Sequence, residues 1–237
     1  MMRNIARMQD RMRALGVRLR PHVKTPKCIE VARRQEAAGA DGITVSTLKE
    51  AERFFAAGFA DVLYAVAIAP AKLDRVLALR RRGCRLTIIV DSVVAAQAVA
   101  GKGRQEDHKL DVMIEIDCDG HRSGVDAESD LLIEIGRALN GGAILKGVMT
   151  HAGSSYELDT SEALRALAEQ ERSCAVRAAE RLRAGESVTA ACFAVGFQSL
   201  SHFIHSFRRA FGTSPSRYEP PRSSETQTSA RPQRSLS

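Results

Sequence analysis

Short apolar runs alternate with helix-period segments along the first 160 residues of the chain. The runs are apolar almost throughout, as in LTIIVD and LDVMIEID, which is typical of strands covered by helices on both faces. The predicted strands are 17–24, 42–46, 61–67, 85–91, 110–117 and 145–151. The predicted helices between them are 28–39, 47–58, 70–83, 92–101 and 127–142. This alternation predicts an α/β fold with a parallel sheet, either doubly wound or a (β/α)8 barrel.

Polar residues stand repeatedly at the carboxyl ends of these predicted strands. They are Lys24, Ser46, Asp91, Asp117 and His151. In a barrel those ends share one rim, where active sites are built. Each residue could equally be a helix cap or a loop contact, so their repetition favours a site without proving one.

The pattern changes after a long predicted helix at 161–183. Ser187 is predicted to cap a helix that continues to Val195, Gly196 to form a turn, and 199–211 to form a second helix. The second helix has an apolar stripe at Leu200, Phe203, Phe207 and Phe211. Its opposite face carries Ser201, His202, His205, Arg208 and Arg209. Residues 219–237 are rich in Pro, Ser, Thr and Arg, which predicts a disordered tail.

Charge and cysteine content add two expectations. The formal net charge is +7, and residues 187–237 hold six Arg against two Glu, so the basic excess is concentrated there. A phosphate-backbone partner would need such an excess, although a solvated basic tail also produces it. The five cysteines are scattered without metal-ligand spacing, which predicts reduced thiols. The chain has no apolar run of membrane-span length, which predicts a cytoplasmic protein with no membrane partner.

Three segments carry a resemblance to a known family: LRPHVKTPKC, EIDCDGHRSGV and THAGSSYE. They resemble the D-threonine aldolase and D-serine dehydratase family, whose barrel is related to the N-terminal domain of alanine racemase. The resemblance implies an incomplete TIM-type barrel of six β-α units over 1–184, of pyridoxal 5'-phosphate (PLP) fold type III. It implies Lys24 as the catalytic Schiff-base lysine, with Arg122, His151 and Tyr156 binding the cofactor. It also implies a lyase acting on β-hydroxy-D-amino acids.

The chemistry of that cofactor explains why a strand-end lysine is needed. A lysine must be unprotonated to attack an aldehyde, so a partly desolvated pocket with cationic neighbours suits it, and Arg20 and His22 are the expected neighbours. The chain departs from the family pattern at Pro26, where a second histidine is common. Strands seven and eight, the PLP phosphate loop and the metal-binding C-terminal β-domain have no counterpart. The expectation is therefore weak or absent PLP binding, no metal site and no efficient catalysis.

Residues 185–218 carry a second resemblance, in the runs AVGFQSLSHF and FRRAFGTSPSRY. These resemble the second helix-turn-helix of the AraC family of transcription regulators. The resemblance implies that Gln198, Ser199, Ser201 and His202 approach bases or phosphates of DNA, and that Arg208, Arg209 and Arg217 neutralise phosphates. His205 stands where an arginine is common. The first helix-turn-helix of that family has no counterpart in the chain.

Three hypotheses about function follow. The chain is a DNA-binding regulator whose barrel senses an amino acid or PLP, a lyase with an incidental tail, or a fusion in which neither part works. The intact second predicted helix favours the first hypothesis over the second, and the missing strands favour the third. Transcription regulation is the main hypothesis and the lyase is the alternative, and homodimer formation stays open.

Overall fold

The computed structural model of the chain describes residues 1–194 and 200–218. The chain forms two compact units, Met1–Glu186 and Ser187–Ser237. The first unit is an α/β structure with a single parallel sheet among its described strands. The second unit is helical over 200–211.

The strands of the first unit are all parallel to their neighbours, and their order is β1-β2-β3-β4 with both β5 and β6 paired to β4. Their bounds are β1 Ile43–Val45, β2 Asp61–Ala67, β3 Arg85–Val90, β4 Leu110–Asp117, β5 Val125–Asp126 and β6 Ala143–Thr150. The predicted parallel sheet is confirmed, and β2 and β4 have the predicted bounds. The sheet is not closed into a barrel among the described residues.

Helices alternate with these strands and cover the sheet. Their bounds are α1 Met2–Ala14, α2 Ile29–Ala37, α3 Leu48–Ala56, α4 Leu73–Arg81, α5 Val93–Gln105, α6 Asp130–Leu139 and α7 Ser161–Ala194. Side-chain caps start several of them: Thr47 and Glu50 form a capping box at α3, and Ser92 caps α5. The strands β3 and β4 supply the centre of the apolar core, with Ile88, Val112 and Ile114 fully buried.

The prediction of a strand at 17–24 is wrong. The segment makes one parallel bridge, between His22 and Thr44, and otherwise lies beside β1 without a continuous ladder. Thr44 N donates to Pro21 O at 2.8 Å, and Val23 N donates to Thr44 O at 2.9 Å. Pro21 has no N–H to donate, which interrupts the ladder on that side.

The predicted helix start at Ser187 is also wrong. Helix α7 runs without interruption from Ser161 to Ala194, so Ser187 lies inside it rather than at an N-cap position. Gly185, two residues beyond the predicted helix end at 183, is buried within α7, and a Cβ there would lie 3.2 Å from Ile133 Cγ2. Close packing against α6 explains why a glycine occupies this helical position.

The second unit contains α8, Leu200–Phe211, followed by a 3₁₀ turn at Pro215–Arg217. Phe203 is buried, and its ring centroid lies 5.8 Å from that of Phe207. The Phe207 ring meets Tyr218 edge-on at 5.3 Å. Gly212, with φ of +71°, follows the last helical residue in a left-handed conformation. The turn predicted at Gly196, and the predicted contacts Gln198 and Ser199, lie outside the described residues.

Candidate active site at the carboxyl end of the sheet

Lys24 lies exposed at the carboxyl-end side of the sheet, next to His22. Its backbone N–H donates to His22 Nδ1 at 3.2 Å, and His22 Nε2 lies 3.3 Å from Ser46 Oγ. A ring nitrogen that accepts a hydrogen bond carries no proton, so this geometry requires an imidazole protonated only at Nε2. The neutral ring therefore connects the backbone of Lys24 to the residue that follows β1.

The surroundings of His22 favour the same neutral form. Burial lowers the pKa of His22 most, and the charges of Lys24 and His151 lower it further against the opposing carboxylate of Glu50. The expectation that His22 is a cationic neighbour of Lys24 is therefore wrong, because burial disfavours its charged form. These interactions also bring two residues predicted for the site, Lys24 and His151, within electrostatic range of one imidazole.

His151 directly follows β6 and connects this cluster to the other predicted residues. Its Nδ1 atom is buried and has no hydrogen-bond partner within the described parts of the chain. Its ring centroid lies 6.3 Å from that of Tyr156, which is 72% exposed. The guanidinium carbon of Arg122 lies 5.9 Å from the Tyr156 ring centroid, within cation–π range. We call Lys24, His22, His151, Tyr156 and Arg122 the rim cluster. The Lys24 backbone contacts His22, His22 and His151 interact electrostatically, and Tyr156 lies near both His151 and Arg122.

Two loops bring Arg122 and His151 together. Asp119, in the loop after β4, accepts hydrogen bonds from Ser154 N at 2.9 Å and Ser154 Oγ at 2.7 Å. These bonds lower the pKa of Asp119, so the carboxylate stays ionised and the loops stay joined. A Cβ at Gly153 would lie 2.6 Å from Arg122 Cγ and Nε, so the absence of a side chain there lets Arg122 approach.

Glu115 is a buried carboxyl group that the sequence analysis did not identify. It is 5% exposed on β4, and its Oε2 atom has no hydrogen-bond partner among the described residues. Burial raises the pKa of Glu115, as do the nearby carboxylates of Asp91 and Asp117, while hydrogen bonding to Ser123 and the charge of His151 oppose the shift. The signal in the sequence was a glutamate between two apolar residues of the strand, Ile114 and Ile116.

Arg20, the other expected neighbour of Lys24, points to the opposite end of the sheet. Its Nη1 atom lies 2.7 Å from Asp61 Oδ1, at the first residue of β2. The same nitrogen lies 3.4 Å from the carbonyl oxygen of Ile43, the first residue of β1. The expectation that Arg20 is a neighbour of Lys24 is therefore wrong, because the Arg20 guanidinium is paired with Asp61 at the amino end of the sheet.

A cavity of about 440 Å³ opens between the end of β6 and the start of α7. Its lining combines polar and apolar side chains: Thr150, His151, Ala152, Ser155, Leu164, Leu167, Ala168 and Glu171. Glu171 Oε1 accepts a hydrogen bond from Ala152 N at 3.2 Å, which fixes the backbone beside His151. The cavity is therefore an open volume next to the unpartnered Nδ1 of His151.

The rim cluster fits the aldehyde and ring of PLP. It has an accessible primary amine at Lys24, an unpartnered buried nitrogen at His151 and a guanidinium at Arg122 for an anionic oxygen. The described residues include no group of three or more His, Cys, Asp or Glu side chains that could hold a metal ion. Within the same part of the chain, no helix is long and apolar enough to cross a membrane.

Residues 1–205 match the family model described as alanine racemase, N-terminal domain. The chain belongs to this family. The match confirms the predicted relation to the alanine racemase N-terminal domain, an α/β PLP fold. It also extends beyond Glu186 into residues that the sequence analysis assigned to a helix-turn-helix, so the AraC resemblance remains a prediction.

Known members similar to this chain are lyases by name. D-threo-3-hydroxyaspartate dehydratase of Delftia sp. (strain HT23) is 67% identical over 186 residues, which are 78% of this chain and 49% of that protein. Its solved structure superposes with a TM-score of 0.77, at 66% identity and with the same coverage. D-serine dehydratase of Dictyostelium discoideum is 32% identical over 182 residues, 71% of this chain and 46% of that protein. This member of the alanine racemase N-terminal domain family therefore spans about half the length of the curated relatives it matches.

Proposed function

We propose that the first unit binds PLP through Lys24 and serves a lyase reaction on β-hydroxy-D-amino acids of the 3-hydroxyaspartate type. The observation that carries the proposal is the rim cluster, in which Lys24, His151 and Arg122 are linked through His22 and Tyr156. The 67% identity to a D-threo-3-hydroxyaspartate dehydratase supports the choice of substrate. This replaces transcription regulation as the main hypothesis.

Each residue of the rim cluster has a distinct task in this proposal. Lys24 Nζ would hold the cofactor covalently, His151 would lie beside its ring, and Arg122 would neutralise an oxygen anion near Tyr156. When bound, PLP supplies an electron sink for the negative charge that develops at the substrate's Cα. Lys24 Nζ would be the amine that exchanges a proton at that carbon, since the neutral His22 has its proton engaged at Nε2.

A product assay tests the proposal. The purified chain, saturated with PLP, is incubated with D-threo-3-hydroxyaspartate, its L-enantiomer and D-aspartate, and released oxo acid and ammonia are measured. We expect product from the D-hydroxy substrate only, because D-aspartate has no hydroxyl group at Cβ to leave and the L-enantiomer has the opposite configuration at Cα. Lys24→Ala should abolish the release, whereas Lys49→Ala, an exposed lysine on α3, should not change it. Product at the same rate from the Lys24→Ala variant, or no product from the unaltered chain, contradicts the proposal.

A second candidate function is DNA binding by α8. The observation that favours it is that Ser201, His202, His205, Arg208 and Arg209 are all exposed, opposite the buried Phe203. Arg217, in the turn that follows, is exposed as well. A cationic helix face of this kind suits contacts with phosphates flanking a major groove.

Salt dependence tests this second candidate. Affinity for duplex DNA should fall linearly with salt on logarithmic axes, because phosphate neutralisation releases counterions. Replacing Arg208 and Arg209 by alanine should weaken binding and reduce that slope. Replacing Arg7 and Arg11 on α1, which are also exposed, removes the same charge and should leave the slope unchanged. Equal slopes for the two double variants would contradict DNA binding by α8.

A further inference from the structure

The backbone of Lys24 is held by hydrogen bonds that begin at its own amide. Lys24 N–H donates to His22 Nδ1, and His22 Nε2–H donates to Ser46 Oγ. The backbone N–H of Ser46 donates in turn to Glu50 Oε2 at 2.9 Å. Two residues, His22 and Ser46, therefore connect Lys24 to a glutamate in the first turn of α3.

The far end of this connection is firmly fixed. Glu50 is the N3 residue of the capping box that starts α3, and its Oε2 atom also accepts from Thr47 N at 3.2 Å. These bonds, with the ammonium of Lys27 at 3.4 Å, hold the pKa of Glu50 below its ordinary value despite burial of the group. Glu50 is therefore ionised at neutral pH and gives Ser46 a fixed acceptor.

We propose that His22 is the positioning residue of Lys24, and that only its neutral imidazole holds the lysine backbone in place for cofactor attachment. The imidazole contacts no reacting atom in this proposal. It acts as a two-sided connector, accepting from Lys24 at Nδ1 and donating to Ser46 at Nε2. This inference deepens the proposed function and rests on it for its role in cofactor binding.

Protonation of His22 would break the connection at a defined atom. A proton added at Nδ1 occupies the lone pair that accepts the Lys24 N–H, so that bond is lost while the bond from Nε2 to Ser46 can remain. The groups that face His22 are Lys24 on its own segment, Ser46 and Glu50 near the start of α3, and His151 after β6. Burial lowers the pKa of His22 most, and the charge of Lys24 lowers it further, so the connection should persist to below pH 6.5.

The first test observes the connection without cofactor. In the full chain labelled with ¹⁵N-lysine, the Lys24 amide resonance should move with pH, with a midpoint below 6.5 that coincides with the titration of the His22 ring. His22→Asn keeps an acceptor for the amide two residues later but does not titrate in this range, so the movement should disappear. His108→Asn, at a histidine that precedes β4, is the matched control and should leave the movement unchanged. A Lys24 amide resonance that does not move as the His22 ring titrates overturns the proposal.

The second test measures PLP attachment by visible absorbance. At pH 8, His22→Phe should weaken PLP binding on the order of fivefold, because the hydrogen bond to the Lys24 amide is lost. His22→Asn should bind within about twofold of the unaltered chain, and its affinity should fall less than that of the unaltered chain as pH drops to 5.5. Identical affinity and pH profile in all three proteins overturns the inference. If the unaltered chain attaches no PLP at Lys24, the proposed function fails, and the amide titration alone decides the role of His22.

Discussion

The two ends of the parallel sheet treat charged side chains in opposite ways. At the amino end, each acidic strand residue is matched by a cation: Asp61 with Arg20 at 2.7 Å and Arg85 at 3.7 Å, and Asp111 with Arg80 at 2.8 Å. The Arg80 and Asp111 side chains are only 14% and 18% exposed, so this pair is partly desolvated. These charges compensate one another and stabilise the fold.

At the carboxyl end, Glu115 and His22 are instead buried beside charges that disfavour their ionised forms. Burial and neighbouring carboxylates raise the pKa of Glu115, whereas burial and neighbouring cations lower the pKa of His22. Two buried polar atoms, Glu115 Oε2 and His151 Nδ1, have no partner within the described ranges 1–194 and 200–218. Uncompensated groups in a shared region are typical of ligand sites. The difference separates residues that hold the fold from residues available for chemistry.

Replacing Lys24 should give the largest effect on PLP binding and should leave the stability of the fold unchanged. Lys24→Ala should remove all PLP-dependent visible absorbance, because the only amine of the rim cluster is lost. The free energy of unfolding should stay unchanged, since the side chain is exposed. Absorbance titration and urea denaturation measure the two quantities, with Lys49→Ala as control. A variant that binds PLP like the unaltered chain would place the cofactor elsewhere.

Breaking an ion pair at the amino end should lower the stability of the protein and leave its PLP affinity unchanged. Arg80→Ala leaves the carboxylate of Asp111 partly buried without its cation, and we expect a loss of about 3 kcal/mol in the free energy of unfolding. PLP affinity of the protein that remains folded should not change. Arg13→Ala breaks an exposed pair with Asp10 and serves as control, with little expected effect. Weaker PLP binding by the folded Arg80→Ala protein would contradict the distinction between the two ends of the sheet.

A methyl group at Gly153 should disturb the site more than the fold. The Cβ of Gly153→Ala would meet the Arg122 side chain at 2.6 Å, and that flexible side chain can move away. We expect PLP affinity to fall about tenfold through loss of a charge-assisted contact, with little change in urea denaturation. Gly101→Ala, on α5 with no atom within 4 Å of the new Cβ, should leave affinity intact. Unchanged affinity in Gly153→Ala would remove Arg122 from the site.

The smallest effect concerns stability and the charge of Glu115. Because the pKa of Glu115 is raised on folding, its contribution to stability is full below its unfolded pKa and is lost as pH rises through the folded value. Glu115→Gln cannot ionise, so it should be more stable than the unaltered chain at pH 8 and similar at pH 4. Urea denaturation at both pH values checks this. A variant that is less stable at pH 8 would show that the ionised carboxylate supports the fold.

Local patterns predicted much of the sheet because burial on both faces requires near-continuous apolar runs in the sequence. The apolar runs at β2 and β4 identified both strands to the residue. The same burial concealed Glu115, since a strand covered on both faces shows no alternation that would mark an inward-facing polar residue. The segment before β1 was predicted as a strand from its own residues, although Pro21 prevents a regular ladder.

Other features depended on contacts distant in sequence. The long helix was expected to end at 183, but Gly185 continues it, packed against Ile133 on α6, 52 positions earlier. The direction of Arg20 is set by Asp61, and the charge state of His22 by burial against elements that follow it. Motif resemblance selected Lys24, Arg122, His151 and Tyr156, and the structure places Tyr156 near both His151 and Arg122. The motif resemblance could not indicate that His22 connects Lys24 to α3.

The site at the carboxyl end can be tested most directly by locating the cofactor on the chain. The protein is incubated with PLP, reduced with borohydride, digested, and its peptides are identified by mass spectrometry. The account predicts a pyridoxyl group on the peptide that contains Lys24, and on no other lysine at stoichiometric labelling. Labelling spread over surface lysines, with Lys24 unmodified, would contradict it.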